Sequence, residues 1–421
     1  MNAKSNLLVW TLAVVALGTL GQQAASQEKN RSSLLAPFNL RERHLSGKGI
    51  IGCTDCDEAY TGKCSCGLSV FWSGWGAVDY LMGWSKGRPA PALVSTSNAG
   101  DGGVVDASST SILMGDDRIG LGTGSGGRVD FGAWLGGKTE VGLGMRFYGF
   151  SADAGDYQAV SDGSQLLAVP FYNTRLDQED ARLVATGPGI AAGEININNS
   201  TNVLQAESYL RIPMTEGQGW RFDLVGGYHY SRVEDRLTLD AFSEDLDGSF
   251  LLGVGNTRRV TDVFDATNDF HGGSLGLLGQ IHQDRMVFSM LGKISGGNMH
   301  QKVRIAGRQE NSSPTGGNDV FNSGTFALDT NTGRYERDVT AVIPEAQFTF
   351  TFLWRENVSL NLGYAFSYWS DVVTATDSID RNVNSSQFQD SPLFGSADPQ
   401  FTLRDTDFWV QGMTIGITLE R

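Results

Sequence analysis

Hydrophobic and polar residues alternate along most of this chain, most plainly in its last quarter. From Ala346 to Trp354, Ala346, Phe348, Phe350, Phe352 and Trp354 share one face, and Gln347, Thr349 and Thr351 share the other. Val358, Leu360, Leu362, Tyr364, Phe366 and Tyr368 then alternate with Ser359, Asn361, Gly363, Ala365 and Ser367. Near the end, Trp409, Met413, Ile415, Ile417 and Leu419 oppose Thr414, Gly416, Thr418 and Glu420. Successive side chains on a strand point to opposite faces, so each run is a ribbon with one oily and one small or polar face. Runs of about ten residues with aromatic ends fit strands that cross a bilayer in a closed barrel. A soluble β-sandwich alternates too, but in shorter strands.

The period recurs upstream. Trp72, Val78, Tyr80, Met82 and Trp84 oppose Ser73, Ala77 and Asp79. Val129, Phe131, Ala133 and Leu135 oppose Arg128 and Asp130; after a Gly136-Gly137 turn, Val141, Leu143, Met145 and Phe147 oppose Glu140, Gly142, Gly144 and Arg146. Residues Ser151 to Asn202 read as a long extracellular loop with a short helix near Gln178 to Ala185. Strands resume with Leu204, Ala206, Leu210 and Ile212, turn at Glu216 to Gly219, and return through Trp220, Phe222, Leu224, Tyr228 and Tyr230. A further hairpin pairs Leu275, Leu277 and Ile281 with Met286, Phe288, Met290 and Ile294 across Gln283-Asp284. One strand is expected near Val104 to Met114, and weaker ones near Val260 to Phe264, Lys302 to Gly307 and Val320 to Leu328. The expected fold is all-β, an antiparallel transmembrane β-barrel of about 12 strands, with about 10 to 16 admissible and long loops on one side.

Charged residues sharpen that picture. Arg128, Asp130, Glu140, Arg146, Glu207, Arg211, Arg221, Asp223, Arg285, Lys293 and Glu345 fall on the predicted inner face. A lipid-facing Arg or Lys at mid-membrane would cost about 2–4 kcal/mol, so inward placement supports the assignment. These residues suit two arrangements: the lining of a water-filled channel, or a salt-bridge network that fills a narrow barrel. Glycine, at 54 residues of 421, relieves crowding on an inner wall and eases bends.

The formal net charge is −15, with 24 arginines against 8 lysines. An acidic balance argues against a nucleic-acid partner. Acidic clusters at Asp177, Glu179 and Asp180, at Glu244, Asp245 and Asp247, and at Asp262, Asp265 and Asp269 read as solvated loops.

Residues 1–26 carry Lys4, an apolar stretch from Leu7 to Leu20, and a small-residue close at Ala24-Ala25-Ser26, the pattern of a secretory signal peptide. Past it no run of 18 apolar residues offers a helical span. Residues 27–67 form a polar extension holding Cys53, Cys56, Cys64 and Cys66. An oxidising periplasm favours disulfides among them; a tetrahedral metal site and free or intermolecular thiols are the alternatives. Residues 68–421 are assigned to the barrel, and no cofactor is expected.

Two motifs are set aside. Gly272-Gly273-Ser274-Leu275-Gly276 matches G-x-S-x-G, but Ser274 lies within an alternating strand rather than at a strand–turn–helix elbow. Gly122 to Gly127 matches G-x-G-x-x-G with no helix following. The five histidines form no metal-binding pair, so no enzyme is expected.

Several segments resemble the β-barrel porin family of planctomycete bacteria, the porin-7 type. They are Val78-Asp79-Tyr80-Leu81-Met82-Gly83-Trp84-Ser85-Lys86-Gly87 with Pro89 to Ser97; Leu167 to Asn173; and Gly363-Tyr364 with Tyr368 to Val373 and Asp377 to Asn384. Phe408-Trp409-Val410-Gln411-Gly412 is similar to the family's last strand. Thr374-Ala375-Thr376 departs from the family's usual Arg-Pro-Gly, and the terminal Glu420-Arg421 from the common terminal aromatic. The resemblance implies a barrel in the outer membrane, in contact with its lipids. The leading expectation is a passive porin-like channel for small hydrophilic solutes. The alternative is a non-transport structural or adhesion protein of the envelope that meets surface polymers through long loops.

Overall fold

The computed structural model describes residues 74–135, 141–153, 155–251 and 253–420. The signal segment, the four cysteines, residues 68–73, the Gly136-Gly137 turn and Glu140 lie outside the described residues. Ten long strands form the wall: β1 (Gly74–Ser85), β2 (Thr123–Leu135), β3 (Val141–Asp153), β4 (Ala191–Gly217), β5 (Trp220–Asp245), β6 (Thr257–Gln283), β7 (Met286–Ser312), β8 (Gly333–Arg355), β9 (Val358–Val372) and β10 (Thr406–Glu420). Each pairs antiparallel with the next. β10 returns to β1, from Trp75 opposite Glu420 to Ser85 opposite Val410, so the ring of ten strands closes on itself. Two short strands, Tyr157–Ser161 on β4 and Asn318–Phe321 on β7, bring the sheet to 12 strands, the expected number, with ten of them in the ring.

Connections at the two ends are unequal. At one end residues 218–219, 284–285 and 356–357 suffice; at the other lie residues 86–122, 154–190, 246–256, 313–332 and 373–405. Short turns on one side and long loops on the other are the habit of outer-membrane barrels.

The strands change polarity along their length. In the lower half of β5, Trp220, Phe222, Leu224, Tyr228 and Tyr230 face out, and Arg221, Asp223 and His229 face in. Beyond Tyr230 the pattern inverts: Arg232, Glu234, Arg236 and Asp240 face out, while Val233, Leu237, Leu239 and Ala241 are buried inside. β4, β6 and β7 switch at the same level, where Ile195, Ile197, Phe264, Val303 and Ile305 turn inward. A wall is oily outward where lipid surrounds it and oily inward where water does. The inversion therefore marks the edge of the membrane on the side of the long loops. It also explains strands of 26 or 27 residues, where spanning needs only about 9–11.

Four local expectations change. The stretch from Ser151 to Asn202 is largely strand, because β4 begins at Ala191 and the inward Ile195 and Ile197 continue its alternation. Gln178–Ala185 is a strand paired with Leu167–Asn173, not a helix; its Val184 and Ala185 are buried in the apolar cluster beneath the loops. Within Val104 to Met114 only Ser111–Met114 is strand, and it lies in the loop layer rather than the wall. Asp262, Asp265 and Asp269 sit on β6, Glu244 and Asp245 end β5, and Glu179 and Asp180 lie on Gln178–Ala185, so of the acidic clusters only Asp177 and Asp247 are in loops.

The long loops fold inward over the upper barrel. Gln178–Ala185, Leu167–Asn173, Val94–Thr96 and Ser111–Met114 form a small sheet, and Asn382–Val383 joins Leu167–Asn173 in parallel. Its Leu93, Val94, Leu167, Val169 and Phe171, with Phe326 to Leu328, Val373 and Val383, pack against Ile195, Ile197, Leu237, Leu239, Phe264, Val303 and Ile305 of the wall. The result is an apolar cap. Segments quoted above for the family resemblance (Pro89 to Ser97, Leu167 to Asn173 and Asp377 to Asn384) meet there.

Candidate functional site

The lumen at membrane level is the natural place to look, since it gathers many of the barrel's buried charges, Asp79, Arg128, Glu207, Asp223 and Lys293 among them. Lys293 on β7 lies between Glu207 on β4, 2.7 Å away, and Glu345 on β8, 2.6 Å away. Arg146 reaches Glu207 at 3.6 Å and Asp130 at 2.6 Å, and its guanidinium stacks 5.2 Å from the Tyr209 ring centre. Asp130 also accepts hydrogen bonds from Trp75 Nε1 at 2.8 Å and Tyr209 Oη at 2.7 Å. Ser274 donates to Glu207 at 2.7 Å, which makes it part of this network rather than a nucleophile. Near the turns, Arg211 and Arg221 both pair with fully buried Asp223, and both lie 5.1 Å from the Trp134 ring. On β2, two residues before Asp130, Arg128 donates through Nε and Nη2 to Asp79 of β1 at 3.0 and 2.6 Å.

The predicted inner-face residues fall as follows. Arg128, Asp130, Arg146, Glu207, Arg211, Arg221, Asp223, Lys293 and Glu345 all enter these contacts. Arg285 does not: it is exposed in the β6–β7 turn, where alternation no longer governs direction. Glu140 lies outside the described residues. The prediction omitted Asp79, although the outward Tyr80 and Met82 already fix it as inward. It also omitted the aromatic partners Trp75, Trp134, Tyr209 and His229, the last 3.9 Å from Glu345, because an aromatic on the small face reads from sequence as a break in the pattern.

The charges balance. Asp79, Asp130, Glu207, Asp223 and Glu345 meet Arg128, Arg146, Arg211, Arg221 and Lys293, five against five. Every ion has an opposite ion within pairing distance, so the set has the form of a closed network rather than a one-sign lining that would select ions. Above it sits an apolar layer of Leu81, Tyr148, Phe150, Val203, Val233, Phe270, Met299, Ile343, Trp369, Phe408 and Val410, all buried. The cap closes over that layer.

Polar anchors tie the cap to the wall. Buried Arg88 pairs with Asp235 and donates to Asn199 at 2.7 Å. Arg182 donates to the Gly324 carbonyl at 2.9 Å and to Gln309. Asp262 on β6 accepts the backbone N–H groups of Thr325, Phe326 and Ala327 at 2.8 to 3.2 Å. Burial pushes the Asp262 carboxyl up to about 6 from 3.8, against the pull of those N–H groups and of Arg182. Between those two pH values the folded chain holds more protons than the unfolded one. This group's contribution to stability therefore falls as pH rises through the window and returns on acidification. Amide exchange at residues 325–327, corrected for its intrinsic rate, is expected to slow from pH 6.5 to 4.5, and Asp262→Asn to flatten the profile. A wild-type slope of the opposite sign would refute the assignment. A cleft of about 280 Å³ lies in the loop between β9 and β10, lined by Asp377, Asp380, Asn382, Asp398, Gln400 and Arg404 among others. Among the described residues no cluster of His, Cys, Asp and Glu has the arrangement of a metal site.

A family model described as putative beta barrel porin-7 matches residues 75–420. No curated protein matches the chain. Among solved structures, the outer membrane protease OmpT from Escherichia coli is similar at 8% identity, with 82% of this chain and 97% of that one covered and a TM-score of 0.36. A bacterial polysaccharide outer membrane secretin is similar at 8% identity, covering 83% and 98%, with a TM-score of 0.13. The P. putida toluene transporter TodX is similar at 6% identity, covering 83% of this chain and 89% of that one, with a TM-score of 0.15.

Proposed function

The chain belongs to the putative beta barrel porin-7 family, and from that premise we propose an outer-membrane barrel that is shut to solutes at rest and acts at the cell surface. One observation carries the reading: the cross-section is occupied in turn by a charge-balanced network, an apolar layer and an apolar cap. Water and ions avoid a buried apolar layer because their hydration is not replaced there. The polar outer wall and the anchored loops are then the working surface, the role of a structural or adhesive envelope protein. A passive channel for small hydrophilic solutes, which the family description favours, needs both the apolar layer and the cap to move aside.

Planar-bilayer recording of the purified, folded protein tests the two readings. The expected result is insertion without the steady conductance steps of a general porin. Steady ohmic steps from every inserted molecule would refute the closed reading and restore the passive channel.

A further inference from the structure

Above the membrane edge, most outward-facing rows of the wall set cations beside carboxylates. Arg232 lies opposite Asp269, which lies opposite His300, which lies opposite Asp338. Arg259 pairs with Asp240 at 3.0 Å, and Arg308 with Glu310 at 2.5 Å. One row breaks the rule: Arg236 on β5, Asp265 on β6, Arg304 on β7 and Arg334 on β8 lie side by side in register. The row holds three guanidiniums and one carboxylate, which lies 3.2 Å from Arg236 and 3.9 Å from Arg304. Arg304 and Arg334 are directly opposite each other, an arrangement that destabilises a sheet when nothing lies between the charges. Arg334 is exposed and forms no ion pair among the described residues; Arg236 and Arg304 are 57% and 56% exposed.

We infer that this row is a binding site for an anionic saccharide, a phosphate- or carboxylate-bearing sugar chain standing on the outer face of the membrane. Guanidiniums on adjacent strands, about 5 Å apart, can fork onto one phosphate or carboxylate. Height selects the saccharide over a phospholipid. Arg304 is ten residues past Ile294, the last large apolar outward residue of β7, and Arg236 is six past Tyr230 on β5. At about 3.3 Å per residue and a tilt of about 40°, the row stands about 15–25 Å above the oily belt. A phospholipid headgroup layer reaches only about 5–8 Å. The chain's overall charge of −15 makes a row with two surplus cations a local exception.

This inference rests on the outer wall being the working surface; it does not depend on whether the lumen conducts. The test compares the folded full-length protein in detergent with Arg304→Gln/Arg334→Gln. The comparison variant, Lys302→Gln/Arg308→Gln, makes the same charge change at positions that have partners. The probes are phosphorylated dextran, carboxymethyl dextran, unmodified dextran, inorganic phosphate and phosphatidylglycerol vesicles. Expected is salt-sensitive binding of both charged dextrans that weakens at least about tenfold in the first variant and less than about twofold in the second. Equal loss in both variants, equal binding of unmodified dextran, or full competition by low-millimolar phosphate would overturn it. Full competition by the vesicles would reassign the row to a lipid headgroup. Heat-modifiable migration of each variant shows that a loss of binding is not a loss of fold.

Discussion

Lys293→Met is expected to destabilise the barrel by about 3–5 kcal/mol, the cost of breaking a buried ion group by removing one partner. Lys293 is the sole cation touching Glu345 in this set and the nearer of two touching Glu207. Methionine fills a similar volume, so the loss comes from charge and not from a cavity. Two carboxylates would then face each other with only Arg146, 3.6 Å from Glu207, left to offset them. Glu207→Gln/Lys293→Met/Glu345→Gln removes both carboxylates with the cation and is expected to recover most of the stability, since neutral groups of the same shape carry no stranded charge. Urea unfolding followed by tryptophan fluorescence and by heat-modifiable migration measures both. A single variant as stable as the wild type, or a triple variant worse than the single, would show that the network does not hold the lumen together.

The same network shows what could be read from the sequence. Period-two alternation identifies the inner face wherever one side of a strand is oily, so Arg128, Asp130, Arg146, Glu207 and Lys293 follow from Val129, Phe147, Ala206 and Ile294 beside them. It fails where the environment changes midway along a strand. Above Tyr230 the apolar residues turn inward, and a reader expecting oil outside sees Ile195 and Ile197 as noise and assigns a loop; hence β4 starts later in the sequence reading than in the structure. Turns lose the signal too, which is why Arg285 was placed with the wall. Whether the lumen is filled is a long-range property. Phe150, Phe270, Trp369 and Phe408 lie on four different strands and meet only when the ring closes. Even so, each is an aromatic on the small-residue face, a feature that marks a plug in hindsight of the register.

Trp369 gives that plug its sharpest test. Its side chain is fully buried, lies 5.6 Å from the Phe408 ring at a tilt of 44° and donates through Nε1 to Ser231 at 2.8 Å. Trp369→Ala is expected to cost about 3–5 kcal/mol, the usual range for removing a large aromatic from a packed core. It would also leave Ser231 without its donor in the middle of the lumen. Trp369→Phe keeps most of the volume and loses the hydrogen bond, so its cost should be near about 1–2 kcal/mol. The two variants separate packing from bonding, and bilayer recording ties both to permeation. If the apolar layer is what shuts the barrel, alanine at 369 should raise the frequency of brief current openings while phenylalanine should not. If both variants unfold like the wild type and neither alters the current, Trp369 is not a barrier, and closure must reside in the cap above it.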